Sequence, residues 1–127
     1  MDKPLSIVIF SKDRAAQLDL CLSSIYKNLS AIEDDWKIHV IYTYSSEEFE
    51  KGYDSLKYDW DYSWLYFHEE SSYGGFKKTL ESVMEEWGDY VLFFTDDDIV
   101  YKKLEHNFNF LSQHVNEKMF CLSLRLG

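Results

Sequence analysis

The feature that most constrains this chain is its regular switching between two hydrophobic periods. Leu5-Ser6-Ile7-Val8-Ile9-Phe10 is a run of the buried-strand type, and after Ser11-Lys12-Asp13-Arg14 the apolar residues fall at Leu18, Cys21, Leu22, Ile25 and Leu29, the spacing of one helix face. The switch then repeats. Ile38-His39-Val40-Ile41-Tyr42 predicts a second strand, and Ser45-Ser46-Glu47-Glu48 predicts the start of a helix with Phe49, Tyr53 and Leu56 on one face. Trp64-Leu65-Tyr66-Phe67 predicts a third strand, Gly74-Gly75 punctuates, and Phe76, Leu80, Val83, Met84 and Trp87 mark an amphipathic helix. A fourth strand from Tyr90, a further helix carrying Leu104, Phe108, Leu111 and Val115, and a fifth strand over Met119 to Leu124 complete the pattern.

Strands that alternate with helices need crossover connections, so the predicted fold is α/β: a doubly wound, largely parallel sheet with helices on both faces. At 127 residues this is one domain, 1–127. Ligands of such sheets bind beyond the carboxyl ends of the strands. That rule gathers residues 11–14, 42–46, 68–75 and 95–98 onto one edge. The sequence stops just after the predicted fifth strand, which leads us to expect a truncated or minimal form of a larger fold.

Composition removes several function classes. A formal charge of -10 excludes a general affinity for the nucleic-acid backbone, and 46% hydrophobic with 28% charged residues predicts a soluble globular protein. No apolar stretch reaches the length of a transmembrane segment, and Met1-Asp2-Lys3-Pro4 lacks a signal-peptide core, so a cytoplasmic location is expected. Cys21 and Cys121 stand far apart in apolar runs and read as buried free thiols.

The chemistry concentrates in Phe94-Thr95-Asp96-Asp97-Asp98, where an apolar strand delivers three carboxylates to its end. Adjacent carboxylates repel unless a cation or water neutralises them. In an extended backbone Asp96 and Asp98 point to one side and Asp97 to the other, so the outer two can share one cation. Oxygen ligands suit Mg²⁺ or Mn²⁺, and no Cys or His cluster argues for zinc; His106 and His114 read as surface residues.

Ser11-Lys12-Asp13-Arg14 offers a second group: Lys12 or Arg14 for phosphate and Asp13 for a base or ribose, while Asp13 equally suits a helix cap. Ser71-Ser72-Tyr73-Gly74-Gly75-Phe76-Lys77-Lys78 enters a helix and reads either as an anion site on backbone N–H groups or as a solvated helix start. Tyr53, Tyr58, Trp60, Tyr62 and Trp64 could stack on a ring, although packing is the favoured role.

Together the Pro4 to Arg14 segment and Phe94-Thr95-Asp96-Asp97-Asp98 resemble the nucleotide-binding half of a GT-A glycosyltransferase, most similar to the family 2 type. The second segment resembles that family's DxD motif. The resemblance implies a GT-A, nucleotide-diphospho-sugar transferase-like fold, Asp96 and Asp98 on Mn²⁺ or Mg²⁺, and a UDP- or GDP-sugar donor. Ser11, Lys12, Asp13, Arg14, Gly74, Gly75, Lys77, Lys78 and Asp97 would contact the nucleotide. Many members carry an Asp after the second strand, where this chain has Tyr42-Thr43-Tyr44-Ser45-Ser46; Tyr44 is the candidate to stack on the base instead. The implied reaction is glycosyl transfer to an acceptor hydroxyl, with the acceptor unknown and the acceptor-binding part expected beyond this chain. No general base is selected between Asp13 and Glu70. A non-catalytic nucleotide-sugar binding module is the alternative. A receiver-like signalling domain fits less well, because its acidic pair belongs after the first strand.

Overall fold

The computed structural model of the chain describes residues 5–29, 36–85 and 90–100. The predicted further helix from Leu104 to Val115, with His106 and His114, and the predicted fifth strand with Cys121 lie outside the described residues. Four strands, β1 (Leu5–Lys12), β2 (Trp36–Thr43), β3 (Leu65–Glu69) and β4 (Tyr90–Thr95), form one sheet in the order β3-β2-β1-β4. Every pairing in it is parallel, with Phe10 of β1 level with Ile41 of β2 and Thr95 of β4.

Among the described residues, four helices lie between these strands: α1 (Ala15–Asn28), α2 (Glu47–Asp59), the single turn α3 (Glu70–Tyr73) and α4 (Phe76–Met84). Strand alternation sorts the side chains into two cores. Ile7 and Ile9 of β1 with Ile38, Val40 and Tyr42 of β2 face the buried stripe Leu18, Cys21, Leu22 and Ile25 of α1 and Tyr53 and Leu56 of α2. Val8 and Ile41 point the other way, onto Val83 of α4. Helices therefore cover both faces, and the sheet is doubly wound as its hydrophobic periods predict.

Local chemistry sets the helix starts. The Ser46 hydroxyl accepts the Phe49 N–H at 3.5 Å, and Glu47, Glu48 and Glu50 place negative charge in the first turn of α2. Ahead of α4, Gly74 and Gly75 hold φ of +92° and +125°, left-handed backbone that a Cβ disfavours. Two expected helix faces are only partly buried. Thr79 and Val83 are the buried residues of α4, with Thr79 Oγ1 donating to the Gly75 carbonyl at 2.7 Å, whereas Phe76 and Met84 stay exposed. Phe49 of α2 is likewise exposed.

The strand order carries the functional consequence. The crossover that leaves β1 for β2 packs on one face and the helix that leads from β3 towards β4 packs on the other, so the connections diverge above the neighbouring strands β1 and β4. A crevice at such a switch point is where open α/β sheets bind ligands. The same order excludes a receiver domain, in which the first strand lies between the second and the third.

Candidate functional site

β1 ends in Ser11-Lys12 and β4 ends in Thr95, and the loops beyond them wall an open cleft of about 700 Å³. Ser11, Lys12, Arg14, Glu70, Asp96 and Asp97 all line it. That volume suits a nucleotide-sized ligand. Lys12 and Arg14 are exposed cations on the β1 side, Asp96 and Asp97 are the carboxylates on the β4 side, and Glu70 enters from the start of α3. Burial pushes the Glu70 carboxyl above its ordinary value, against the opposing pull of Lys12.

The three aspartates do not follow the extended alternation predicted for them. The backbone turns at residues 96–97, and the Asp98 N–H donates to the Thr95 carbonyl at 3.0 Å. The turn sends each side chain elsewhere. Asp96 goes inward, almost fully buried, and accepts the Ser11 hydroxyl at 2.9 Å. Asp97 Oδ1 accepts from Thr95 Oγ1 at 2.6 Å and lines the cleft, whereas Asp98 Oδ2 folds back onto the Thr95 N–H at 2.8 Å. The two carboxylates that share the cleft are therefore Asp96 and Asp97. The extended backbone from which the pairing of Asp96 with Asp98 was expected is replaced here by a hydrogen-bonded turn.

Asp13 adopts left-handed backbone at φ +57°. Its carboxylate bridges to the next loop, accepting the Ser45 N–H at 2.8 Å and the Ser45 hydroxyl at 2.7 Å. It does not cap α1, whose N-cap is Arg14 without a side-chain hydrogen bond. Tyr44 is not among the lining residues: its hydroxyl donates towards Glu50 at 2.9 Å and towards Glu69. Gly74, Gly75, Lys77 and Lys78 stand at the start of α4, whose first residue, Phe76, reaches the cleft. Lys77 lies 4.0 Å from Glu81 in an exposed pair, and the Lys78 stem runs close over Gly74.

Tyr53 is the residue that sequence reasoning missed here. It is fully buried on α2, its hydroxyl lies 2.7 Å from Ser11 Oγ, and it accepts the Arg14 N–H at 3.0 Å. A tyrosine on a buried helix face needs a partner for its hydroxyl, and that need was the available signal. Behind the site, Cys21 is a buried free thiol whose pKa is pushed up to about 12 by burial and by the charges of Asp98, Asp96 and Asp97. Of the aromatic group, Tyr53 and Trp64 are core, Tyr62 is exposed and Tyr58 is the most exposed; none lines the cleft.

Solved structures share this arrangement of elements. A mannosyltransferase, PcManGT from Pyrobaculum calidifontis, solved in complex with GDP-Man and Mn²⁺, superposes with a TM-score of 0.59 at 15% identity, over 78% of this chain and 29% of that one. TarS from S. aureus gives a TM-score of 0.55 at 16% identity, over 79% of this chain and 18% of that one. The fold is GT-A-like. No protein-family model matches the sequence, and no curated protein matches it. The GT-A-like chain spans less than a third of the length of either structure. At these identities the likeness establishes the fold, and the chemistry of the GT-A-like edge has to be argued from its own residues.

Proposed function

We propose that this chain is the donor-binding part of a metal-dependent glycosyltransferase that holds a UDP- or GDP-sugar and passes the glycosyl group to an acceptor hydroxyl. The observation that carries the reading is the convergence of two carboxylates, Asp96 and Asp97, with two cations, Lys12 and Arg14, in one cleft at the switch point of a GT-A-like sheet. The similar mannosyltransferase was solved with GDP-Man and Mn²⁺, which supports the same class of donor here.

The residues fit a hard divalent cation. Among the described residues no three His, Cys, Asp or Glu side chains form a complete ligand group, and the cleft offers two carboxylates. Mg²⁺ and Mn²⁺ suit such a partial set, since they retain water and take further oxygens from substrate phosphates. When bound, the ion supplies positive charge against the diphosphate leaving group. Lys12 and Arg14 contribute to the same end, countering phosphate charge from the opposite wall of the cleft. The Gly75 turn and the N–H groups that open α4 are a further phosphate contact, with Lys77 and Lys78 adding charge beside them. Among the described residues no helix is long and apolar enough to cross a membrane, and a cytoplasmic location is part of the proposal.

Calorimetric titration of GDP and of UDP, each with and without Mn²⁺, tests the reading. Metal-dependent binding that Asp96→Asn and Asp97→Asn each weaken by at least about 10-fold is expected, as removing a charged ligand costs more than about 1.4 kcal/mol. Binding that ignores Mn²⁺ would sink the proposal. Binding without turnover of any nucleotide sugar would leave the chain a non-catalytic binding module.

A further inference from the structure

We infer that Tyr53 and Ser11 are positioning residues for Asp96, acting as one directed chain of hydrogen bonds, and that Ser11 serves the carboxylate rather than the nucleotide. The inference rests on the reading of Asp96 as a cation ligand. Its basis is a count of protons. Ser11 has one hydroxyl hydrogen and donates it to Asp96 Oδ2 at 2.9 Å. The contact of 2.7 Å between Ser11 Oγ and the Tyr53 hydroxyl must then have Tyr53 as donor. Tyr53 in turn accepts the Arg14 N–H at 3.0 Å. Direction is thereby fixed at every step from the backbone at Arg14 to the carboxylate at Asp96.

The chain leading to Asp96 is held in the protein interior, while Asp96 itself still reaches the cleft. Tyr53 is fully buried, Ser11 is 5% exposed and Asp96 is 6% exposed. The Tyr53 ring packs against Tyr42 with centroids 4.7 Å apart, so the donor oxygen is anchored by the core. The Arg14 N–H belongs to the residue that opens α1, a position whose amide has no partner within the helix. One chain of bonds thus satisfies that amide and orients the carboxylate. Partners that orient a ligand from behind typically account for about 10- to 100-fold in metal affinity.

Ser11→Ala, Tyr53→Phe, the double variant and Asp96→Asn of the full chain can be titrated with Mn²⁺ in the presence of saturating GDP, with free Mn²⁺ followed by its electron paramagnetic resonance signal. Circular dichroism confirms that each is folded. About 10-fold weaker Mn²⁺ binding is expected for Ser11→Ala and a smaller loss for Tyr53→Phe. The double variant should match Ser11→Ala alone, because Tyr53 acts only through the serine hydroxyl. Losses that simply multiply would show two independent structural effects and overturn the inference, as would wild-type affinity in Ser11→Ala. If Tyr53→Phe does not fold, Ser11→Ala and Ser11→Thr decide it: the threonine, which keeps the hydroxyl, should retain affinity, and equal losses in both would overturn it. Unchanged Mn²⁺ binding in Asp96→Asn would instead remove the underlying reading of the cleft, a result distinguishable from failure of the relay alone.

Discussion

Tyr53 and Tyr44 both place a phenol in a hydrogen-bond network along the carboxyl edge of the sheet, Tyr53 reaching a carboxylate through Ser11 and Tyr44 directly. Tyr53 is buried beneath the β1 and β4 ends, and its one proton goes to one acceptor, Ser11. Tyr44 follows β2, partly exposed, and its one proton faces two carboxylates, Glu50 and Glu69. A phenol has a single O–H, so the second contact can only be shared. Where water is excluded the hydrogen bonds are fully assigned; where water competes, the geometry tolerates surplus acceptors. The buried network is therefore the one whose loss the fold will register, since solvent can replace a missing partner only at the exposed one.

The largest break in that contrast is Tyr53→Ala, which empties a core position as well as the hydrogen-bond chain. A loss of about 3–5 kcal/mol is expected in urea unfolding, the range for buried aromatic truncations. Tyr53→Phe isolates the hydroxyl: it keeps the ring and strands both Ser11 and the Arg14 N–H, so about 1–2 kcal/mol should go. Tyr44→Phe should shift the unfolding midpoint least, and a loss matching that of Tyr53→Phe would erase the distinction drawn here.

The exposed network should respond in titration instead. The hydrogen bonds to Glu69 and Glu50 hold the Tyr44 phenol well above the ordinary tyrosine value, and the bond from Tyr44, followed by that from Ser71, holds Glu69 below the ordinary carboxylate value. A carboxyl depressed in the folded state stabilises above its unfolded pKa, and that contribution is lost as pH falls through the folded value. Glu69 is largely solvated, so the effect on stability is small. Tyr44→Phe should nonetheless raise the Glu69 pKa towards 4.5, measurable by NMR of its side-chain carbonyl carbon; no movement would mean that the close contact does not persist in solution.

Hydrophobic period made the order of elements from β1 to β4 legible, because strand and helix faces repeat at intervals that burial enforces. It also located the edge where Ser11 to Arg14 and Asp96 to Asp98 meet. What it could not convey were the local geometries that hydrogen bonds decide. The turn after Thr95 depends on one N–H choosing the Asp98 carboxylate, and this is why Asp97 rather than Asp98 joins Asp96 in the cleft. Asp13 looked equally suited to a helix cap or a ligand contact; it does not cap α1, and its carboxylate bonds Ser45, 32 residues away. The helix at Phe76 to Met84 carried a clear apolar stripe, yet part of that stripe is exposed, since periodicity identifies a face without saying what covers it.

The order β3-β2-β1-β4 has a consequence for how the molecule comes to be complete. β1, β2 and β3 each pair with a sequence neighbour, whereas β4 returns across both β3 and β2 to find β1. Ser11 and Asp96 are consequently joined over 85 positions of chain, among the costliest loops in the sheet to close. A nascent or partly unfolded chain can hold three strands in register and still lack the wall of the cleft that Thr95, Asp96 and Asp97 supply. Ligand capture at this edge would then report that β4 has docked against β1.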